Sequence, residues 1–241
     1  MSLIGHTFCV LDTETTGIDP AEHRAVEVAA VIVKEGRLTA AFTTYINPGR
    51  DIPASASGVH GLTDRDVAWA PTLEETLPWL NGLVGRADAV VAHNAPFDKA
   101  MLPGLVDKPW LDTLRLSRRL FPDLESHSNQ SLRYALNLTC PEAAGMPAHR
   151  ALADAYVTAR LVIHLLDVAT ANASTLPTLL ELIADIDAPM VLGKVGFGKH
   201  KGIEWKDVPK DYLQWVVRQT DMDLDTMFTA KHYLTPGRGS R

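Results

Sequence analysis

Residues 7–17 of the chain, TFCVLDTETTG, decide how the rest of the sequence is interpreted. The apolar and β-branched residues of this stretch predict a strand over residues 7–14 that ends in a polar turn at Gly17. Side chains on a strand alternate between its two faces, so Asp12 and Glu14 project from the same face. Two like charges side by side are costly unless a cation lies between them. The stretch therefore indicates either a cation site or an ordinary strand end in a solvated turn.

The patterns after this strand predict a mixed sheet. Residues 25–34 (AVEVAAVIVK) and 37–47 (RLTAAFTTYIN) predict two further strands, and the short Glu35-Gly36 connection predicts a hairpin between them. Thr72, followed three residues later by Glu75, matches a capping box that opens a helix to about residue 83. The remaining predicted elements are a strand at 89–93, a helix at 96–102, and helices at about 113–121, 130–137, 150–168 and 176–186. A strand meander followed by alternating helices and strands implies a mixed sheet with helices on its faces.

The bulk composition is that of a globular chain. Of its 241 residues, 46% are hydrophobic and 22% are charged, which fits one large domain or a medium domain with a small appendix. The sequence has no uncharged apolar stretch of about 18 residues, so we predict no membrane span. The start lacks a secretory-signal pattern, and Cys9 and Cys140 are too few for a disulfide framework. We therefore expect a cytoplasmic protein.

The charges divide the chain into an acidic body and a basic end. The net charge is −6, but residues 1–188 carry a balance of −9 and residues 189–241 one of +3. We predict a domain at 1–170, a linker with a short helix at 171–188, and a small C-terminal module from 189 onward, long enough for a hairpin and two helices. An acidic body suits divalent-metal binding, whereas a basic end suits phosphate contact.

A second polar cluster, HNAPFD, occupies residues 93–98. The predicted strand ends near His93, and Asp98 falls in the first turn of the next helix. Ligands of α/β sheets gather at the carboxyl ends of strands, which makes Asp98 a candidate ligand. A carboxylate in a first helical turn also complements the helix dipole, so a purely local role for Asp98 stays open. Phe97 by itself indicates a core residue.

A third cluster, HRALAD, occupies residues 149–154. Five helical residues rotate by about 500°, so His149 and Asp154 cannot share a helical face. We therefore expect His149 on the flexible approach after Gly145 and Pro147, and Asp154 on the helix itself. A mobile histidine beside a fixed carboxylate suits a proton acceptor. The alternative is a helix-terminal histidine with a solvated aspartate.

Taken in this order, the three clusters resemble those of a known enzyme family. DTETTG, HNAPFD about 80 residues later and H-x4-D about 50 further on resemble the DEDD exonucleases, in the subgroup with histidine in the third motif. The resemblance spans about residues 7–168 and includes a weaker block, SGVHGLT, at 57–63. It implies an α/β, ribonuclease H-like fold with a mixed five-stranded sheet flanked by helices, followed here by a small C-terminal α+β appendix.

The same resemblance assigns roles to individual residues. It implies that His149 is the general base and that four carboxylates bind metal: Asp12, Glu14, Asp98 and Asp154. It also implies that the terminal nucleotide is held by residues of the first motif, the weaker block and the second motif: Thr15, Thr16, Gly17, Ile18, His60 and Phe97. All-oxygen ligands select Mg²⁺ or Mn²⁺. Two such ions roughly 4 Å apart serve in-line phosphodiester hydrolysis.

The implied activity is metal-dependent 3′–5′ hydrolysis of DNA, from single-stranded or duplex ends, with release of 5′-mononucleotides. RNA stays open as a substrate, because nothing in the motifs reads the 2′-hydroxyl. A catalytically inactive nucleic-acid-binding module that keeps the fold is the alternative of another class. No pattern indicates an oligomeric state.

The C-terminal part also resembles a segment of this family. GFGKHKG at residues 196–202, followed by Tyr212 and Trp215, resembles the C-terminal extension of an exodeoxyribonuclease branch. Lys194, Lys199 and Lys201 near glycines predict a hairpin that contacts phosphate, with aromatic residues available for stacking. The alternative is that these aromatics form the core of the module. Three arginines indicate either phosphate contacts or a solvated helix face: Arg115, Arg118 and Arg119.

Overall fold

The computed structural model describes residues 3–219 and 222–235. Its strands are β1 (Thr7–Thr15), β2 (Ala25–Lys34), β3 (Arg37–Tyr45), β4 (Ala89–Ala92) and β5 (Trp110–Asp112). Its α-helices are α1 (Ala54–His60), α2 (Asp64–Val67), α3 (Leu73–Val84), α4 (Ala95–Met101), α5 (Thr113–Leu120), α6 (Asn129–Ala135), α7 (Ala151–Asn172), α8 (Leu179–Asp187), α9 (Lys210–Arg218) and α10 (Leu224–Leu234).

β1 lies at the centre of a five-stranded sheet of order β3-β2-β1-β4-β5. It runs antiparallel to β2 and parallel to β4, and β4 runs parallel to β5. This arrangement confirms the predicted mixed five-stranded sheet flanked by helices. The sequence patterns alone do not predict β5, because a strand of 3 residues is too short to show a period.

The hairpin between β2 and β3 forms at the predicted turn. Glu35 and Gly36 both have positive φ angles, 51° and 70°, as a two-residue turn of the mirror-image type requires. Lys34 pairs with Arg37 directly across this turn. The tight turn therefore fixes the register of β2 against β3.

Both faces of β1 are buried, which explains its continuous apolar run. Phe8 and Val10 lie in the core beneath α7, whereas Cys9 and Leu11 lie in the core beneath α3. Each such buried side chain contributes about 1.5–3 kcal/mol. Because a slip of one residue would exchange the two faces, this burial also fixes the direction in which Asp12 points.

Residues 171–188, which the sequence pattern assigns to a linker with a short helix, contain α8. A capping box of Thr178 and Glu181 opens this helix. Its buried face includes Leu182 and Ile186, and these side chains lie in the same core as the apolar face of α7. α8 is therefore part of the core that the sheet shares with α7, rather than a separate linker helix.

The C-terminal module has its own small core. Trp205 is fully buried there with Tyr212 and Leu213 of α9 and Ala230 of α10. The two predicted helices are present, and the predicted hairpin is reduced to a single bridge between Lys194 and Glu204.

Arg115 connects the body to this module at a contact that we call the joint. Its guanidinium donates to the carbonyl oxygen of Ile186 at 2.8 Å, to that of Ala188 at 3.0 Å and to Asp225 Oδ1 at 3.0 Å. Arg119 donates to carbonyl oxygens at the same end of α8. Both arginines therefore satisfy the carbonyl end of a helix, which suits their charge. The expectation of a solvated helix face is wrong for these two residues, whose side chains are only 16% and 20% exposed. A phosphate contact by either residue stays a prediction.

In the part of the chain that the structure describes, every helix is too short or too polar to cross a membrane.

Candidate active site

Three carboxylates from two distant parts of the chain meet where β1 ends. Asp12, Glu14 and Asp154 each offer an oxygen, and these oxygens lie within 4.8 Å of one another. Asp12 and Glu14 project from the same face of β1, as the strand period predicts, and both keep partial access to solvent. Asp154 reaches them from the first turn of α7. We call these three residues the carboxylate cluster.

Asp98 lies beside the carboxylate cluster. It belongs to the first turn of α4, is 4% exposed, and accepts a hydrogen bond from Thr13 Oγ1 at 2.8 Å. Among the neighbouring charges, that of Asp98 has the largest effect in raising the pKa of Asp12. The structure thus brings all four predicted metal ligands to one end of the sheet, with three of them in direct mutual reach.

Asp154 is held from two sides. Its Oδ1 accepts from Gln130 Nε2 at 2.6 Å, and its Oδ2 accepts from the backbone N–H of His149 at 2.9 Å. Gln130 carries no local signal in the sequence, because only the packing of α6 against α7 brings it to the site.

Within the described residues, the charges of these carboxylates are not neutralised by an arginine, lysine or histidine partner. The salt bridges of the described residues include none of them. Burial, followed by repulsion from Asp98 and Asp154, raises the pKa of Asp12 well above its ordinary value. Burial, followed by repulsion from Asp154, raises the pKa of Glu14 to about 8. Burial also raises the pKa of Asp98 to about 7. A cation among these oxygens would remove the repulsion, and an all-carboxylate donor set fits a hard divalent ion.

His149 lies outside the helix, as its distance from Asp154 predicts. It is exposed, it has a φ angle of 59°, and α7 begins two residues later at Ala151. A positive φ is uncommon for a residue other than glycine, so surrounding contacts must hold this backbone. The imidazole is accessible at the edge of the site.

His93 provides a contrast within the second cluster. Its Nδ1 lies 2.9 Å from Thr113 Oγ1 and its Nε2 lies 2.8 Å from the carbonyl oxygen of His127. Burial lowers its pKa to about 4. With both ring nitrogens engaged and the ring neutral, His93 is a structural residue.

The chain leaves β1 through a tightly held loop. The register shifts between Glu14 and Thr15, and Thr15 Oγ1 then donates to the carbonyl oxygen of Gly17 at 2.7 Å. Thr16 Oγ1 lies 3.1 Å from His23 Nδ1. A Cβ at Gly17 would stand 2.4 Å from the His23 ring, so a side chain at this position would displace that ring. These contacts make a rigid backbone platform beside the carboxylate cluster.

The remaining predicted nucleotide contacts surround this platform. Ile18 is 86% exposed and follows Gly17 directly at the outer edge of this platform. His60 is buried, and its Nδ1 accepts from the backbone N–H of Leu62 at 3.0 Å. Its Nε2 faces the Thr15 backbone without a well-aligned hydrogen bond. Phe97 is half-buried and directly precedes Asp98 in α4.

Glu27 is a fifth carboxylate near the site, and it differs from the other four. It lies opposite Glu14 on β2, is 1% exposed, and is bound by the guanidinium of Arg150. The sequence analysis does not assign a role to either residue. A single acidic residue inside the apolar run AVEVAAVIVK is the signal that indicates a buried charge with a partner.

Comparison with known proteins agrees with this geometry. An exonuclease family model (RNase_T) matches residues 9–162, and the chain belongs to this family. It is 33% identical over 230 residues to exodeoxyribonuclease 10 of Escherichia coli K12, covering 93% of this chain and 97% of that protein. It is also 41% identical over 179 residues to a DNA polymerase III subunit epsilon-like protein of Rhodobacter capsulatus, of which it covers 25%.

The fold comparison gives the same family. Exonuclease X in complex with 5′ overhanging duplex DNA superposes with a TM-score of 0.64 at 33% identity, covering 75% of this chain and 99% of that one. The predicted membership of the exonuclease family is therefore confirmed, and so is the predicted class of enzyme.

Proposed function

We propose that this protein is a 3′–5′ exodeoxyribonuclease that depends on divalent metal and releases 5′-mononucleotides from DNA ends. The observation that carries the proposal is the convergence of Asp12, Glu14 and Asp154 beside an accessible histidine, His149. A relative that covers nearly the whole chain is named an exodeoxyribonuclease, which supports DNA as the substrate.

Four carboxylates are the residues that would hold the metal: Asp12, Glu14, Asp98 and Asp154. Two Mg²⁺ or Mn²⁺ ions bound there would activate the attacking water and stabilise the leaving 3′ oxygen. The contribution of the protein is to fix the ligands. Gln130 and the backbone of His149 orient Asp154, and Thr13 orients Asp98.

His149 is the proposed general base. Imidazole is the side chain that enzymes use most often as a proton acceptor. Its position on an exposed turn, adjacent to the Asp154 carboxylate, lets it approach the water that attacks the terminal phosphate. After hydrolysis, the exposed ring returns the proton to solvent.

The backbone platform of residues 15–17 is the proposed seat of the terminal nucleotide. Ile18 offers an exposed apolar surface to its base, and Phe97 offers an aromatic one from α4. His60 Nε2, which lacks a well-aligned partner, is available to donate to the nucleotide. Thr15, Thr16 and Gly17 shape the backbone of this seat.

The C-terminal module is proposed to hold DNA upstream of the cleaved end. Residues 198–202, which we call the basic turn, have positive φ at both terminal glycines and carry Lys199 and Lys201. Lys199 Nζ lies 5.4 Å from the centre of the Tyr212 ring, which stacks at 5.2 Å on Trp215. Trp215 is 45% exposed. Cations beside an exposed aromatic ring match the requirements of single-stranded nucleic acid.

Digestion of end-labelled substrates tests the proposed activity. DNA and RNA labelled at the 3′ or the 5′ end are incubated with Mg²⁺, with Mn²⁺ or with a chelator. The expected result is metal-dependent release of mononucleotides from the 3′ end of DNA. Faster release from RNA would instead establish an exoribonuclease. Binding without release under any metal condition would establish an inactive binding module.

A further inference from the structure

The buried Glu27 and the partly buried Arg150 form a bidentate ion pair next to the carboxylate cluster. Arg150 Nε donates to Glu27 Oε2 at 3.0 Å, and its Nη2 donates to Oε1 at 2.8 Å. The backbone N–H of Ala151 adds a third bond to Oε2 at 3.1 Å. Arg150 Nη2 also donates to Tyr45 Oη at 2.9 Å. Two strands of the sheet thus grip the residue that directly follows His149.

Because Arg150 directly follows His149 in the chain, its contacts with Glu27 and Tyr45 also constrain the backbone of His149. Arg150 is the N-cap of α7 and has extended backbone, with a φ angle of −127°. His149 before it has a φ angle of 59°, which a non-glycine residue adopts only under constraint. The exposed His149 side chain makes no hydrogen bond to the described residues. The position of the His149 backbone therefore sets the direction in which the imidazole extends. That backbone is held by the Asp154 carboxylate at one atom and by Arg150 at the next residue.

We propose that Glu27 and Arg150 are a positioning pair for His149, an inference that rests on the proposed function. The planar guanidinium binds both oxygens of Glu27, so it fixes direction as well as distance. A lysine ammonium group at this position would keep the electrostatic attraction to Glu27 but would not fix the orientation of the two side chains. The pair thereby holds the turn that presents the base to the carboxylate cluster.

A second arginine–glutamate pair on α7 provides a matched control. Arg160 binds both oxygens of Glu142 through the same two kinds of guanidinium nitrogen. This pair lies ten residues further along the helix and ties it to the turn at Pro141–Ala143. If the ion pairs serve only to fasten α7, both should matter equally for turnover. If the proposal is correct, only the pair next to His149 affects it.

The test compares Arg150→Lys and Glu27→Gln with Arg160→Lys and Glu142→Gln in the full chain. With 3′-labelled DNA, we expect kcat to fall by about 10- to 100-fold in the first two variants, the usual range for residues that orient a catalytic group. We expect KM to stay unchanged in both variants, and the Mg²⁺ concentration for half-maximal rate to stay unchanged in Arg150→Lys, which keeps the charge. The Mg²⁺ requirement is compared only for Arg150→Lys, because Glu27→Gln removes a charge that also acts on two residues of the carboxylate cluster. Thermal unfolding identifies variants that do not fold. For that case Tyr45→Phe, which removes one bond to Arg150, should lower kcat by a smaller factor.

A double-substitution cycle separates positioning from general damage. Arg150→Lys combined with His149→Ala should have the same kcat as His149→Ala alone, because the pair acts through His149. An equal loss from Arg150→Lys in both backgrounds would overturn the proposal, and so would an equal loss in the Arg160→Lys control. A shifted Mg²⁺ requirement in Arg150→Lys would show that the pair positions metal ligands instead. If the unaltered protein releases no nucleotide with any metal, the proposed function fails, and the positioning role fails with it.

Discussion

Two regions of this protein bury carboxylates in opposite ways. At the joint, Asp225 is 1% exposed and accepts hydrogen bonds from Arg115 and from the backbone N–H of Met190. At the end of β1, Asp12 and Glu14 face Asp154 within 4.8 Å, and no arginine or lysine forms a salt bridge with them in the described residues.

This difference teaches which buried charges serve the fold and which serve the reaction. Like charges that crowd together destabilise the folded state, and their pKa values rise as a result. Like charges that stay close together without a partner in the protein indicate a site where a cation binds. At the joint every charge has a partner, so its carboxylate belongs to the structure. Substitution of one residue from each region should therefore produce opposite outcomes.

Asp12→Ala should have the largest effect, which is the loss of hydrolysis with the fold retained. The substitution removes a ligand from a site whose charge balance depends on metal. Initial rates on 3′-labelled DNA with Mg²⁺ measure the effect, circular dichroism checks the fold, and Asp154→Ala should behave in the same way. An Asp12→Ala protein that keeps more than about a tenth of the wild-type turnover would contradict the two-metal assignment.

His149→Ala should lower turnover by roughly 10²–10⁴-fold, the usual contribution of a positioned proton acceptor. Because the backbone N–H of His149, not its ring, contacts Asp154, metal affinity should remain unchanged. The rate as a function of Mg²⁺ concentration separates the two effects. If the Mg²⁺ requirement rises in step with the loss of turnover, His149 is a metal ligand rather than a base.

Asp225→Ala should lower stability and leave turnover intact. The substitution removes the carboxylate partner of the Arg115 guanidinium, whose side chain is 16% exposed, and leaves it bound to two carbonyl oxygens at the end of α8. Because a hydrogen bond to a charged group contributes about 1.5–3 kcal/mol, we expect a loss of about that size. Urea unfolding followed by circular dichroism measures this loss. Asp185, which pairs with Arg119 but is 68% exposed, provides the control, and Asp185→Ala should cost much less. A fall in kcat as large as that of His149→Ala would mean that the joint shapes the site.

The metal-free protein should lose stability as pH rises from about 6.5 to 8, above the range in which His93 and His127, whose pKa values burial lowers to about 4, oppose this trend. Folding raises the pKa of Glu14 from 4.5 to about 8 and that of Asp98 from 3.8 to about 7. The folded state therefore binds more protons than the unfolded state in this window, and stability falls with increasing pH. Thermal unfolding with a chelator should show this fall, and Glu14→Gln should reduce it. Mg²⁺ should raise Tm more at pH 8 than at pH 5.5, whereas an equal rise at both would contradict the assignment.

The same contrast explains which parts of the fold the sequence predicts. Strand β1, the hairpin at Glu35-Gly36 and the capping box at Thr72 depend on neighbouring residues, and each is present as predicted. The strand period also places Asp12 and Glu14 on one face without knowledge of the rest of the chain. Short elements such as α2 and β5 carry too little pattern to be recognised.

Residue partners far apart in the chain are what the sequence cannot supply. Arg150 binds Glu27 across 123 positions, and Arg115 binds Asp225 across 110. Nothing local distinguishes these arginines from solvated ones, since only the packing of α7 and α8 on the sheet brings them to their partners. Gln130 reaches Asp154 in the same way. The convergence of the three motifs is predictable only because their order and spacing resemble those of a known family.

The basic turn should show the smallest effect, because we propose that its module contributes affinity rather than chemistry. We expect Lys199→Ala with Lys201→Ala to raise KM a few-fold for long single-stranded DNA and to leave kcat unchanged. Removing two phosphate contacts should also flatten the logarithmic salt dependence of binding by roughly 1 to 2. Binding isotherms at several salt concentrations measure this slope.

This experiment has two controls. One is a short substrate, a nitrophenyl ester of thymidine phosphate, and the other is substitution of a lysine at the other end of the sheet. The ester is too short to reach the basic turn, so its hydrolysis should not change when Lys199 and Lys201 are replaced. Lys34 is exposed at the β2–β3 hairpin, at the opposite end of β1 from Asp12. Lys34→Ala removes the same kind of charge and should leave both KM and the salt slope unchanged. Equal losses on the ester and on long DNA would mean that the module supports the catalytic domain, and its proposed contact with DNA would then be wrong.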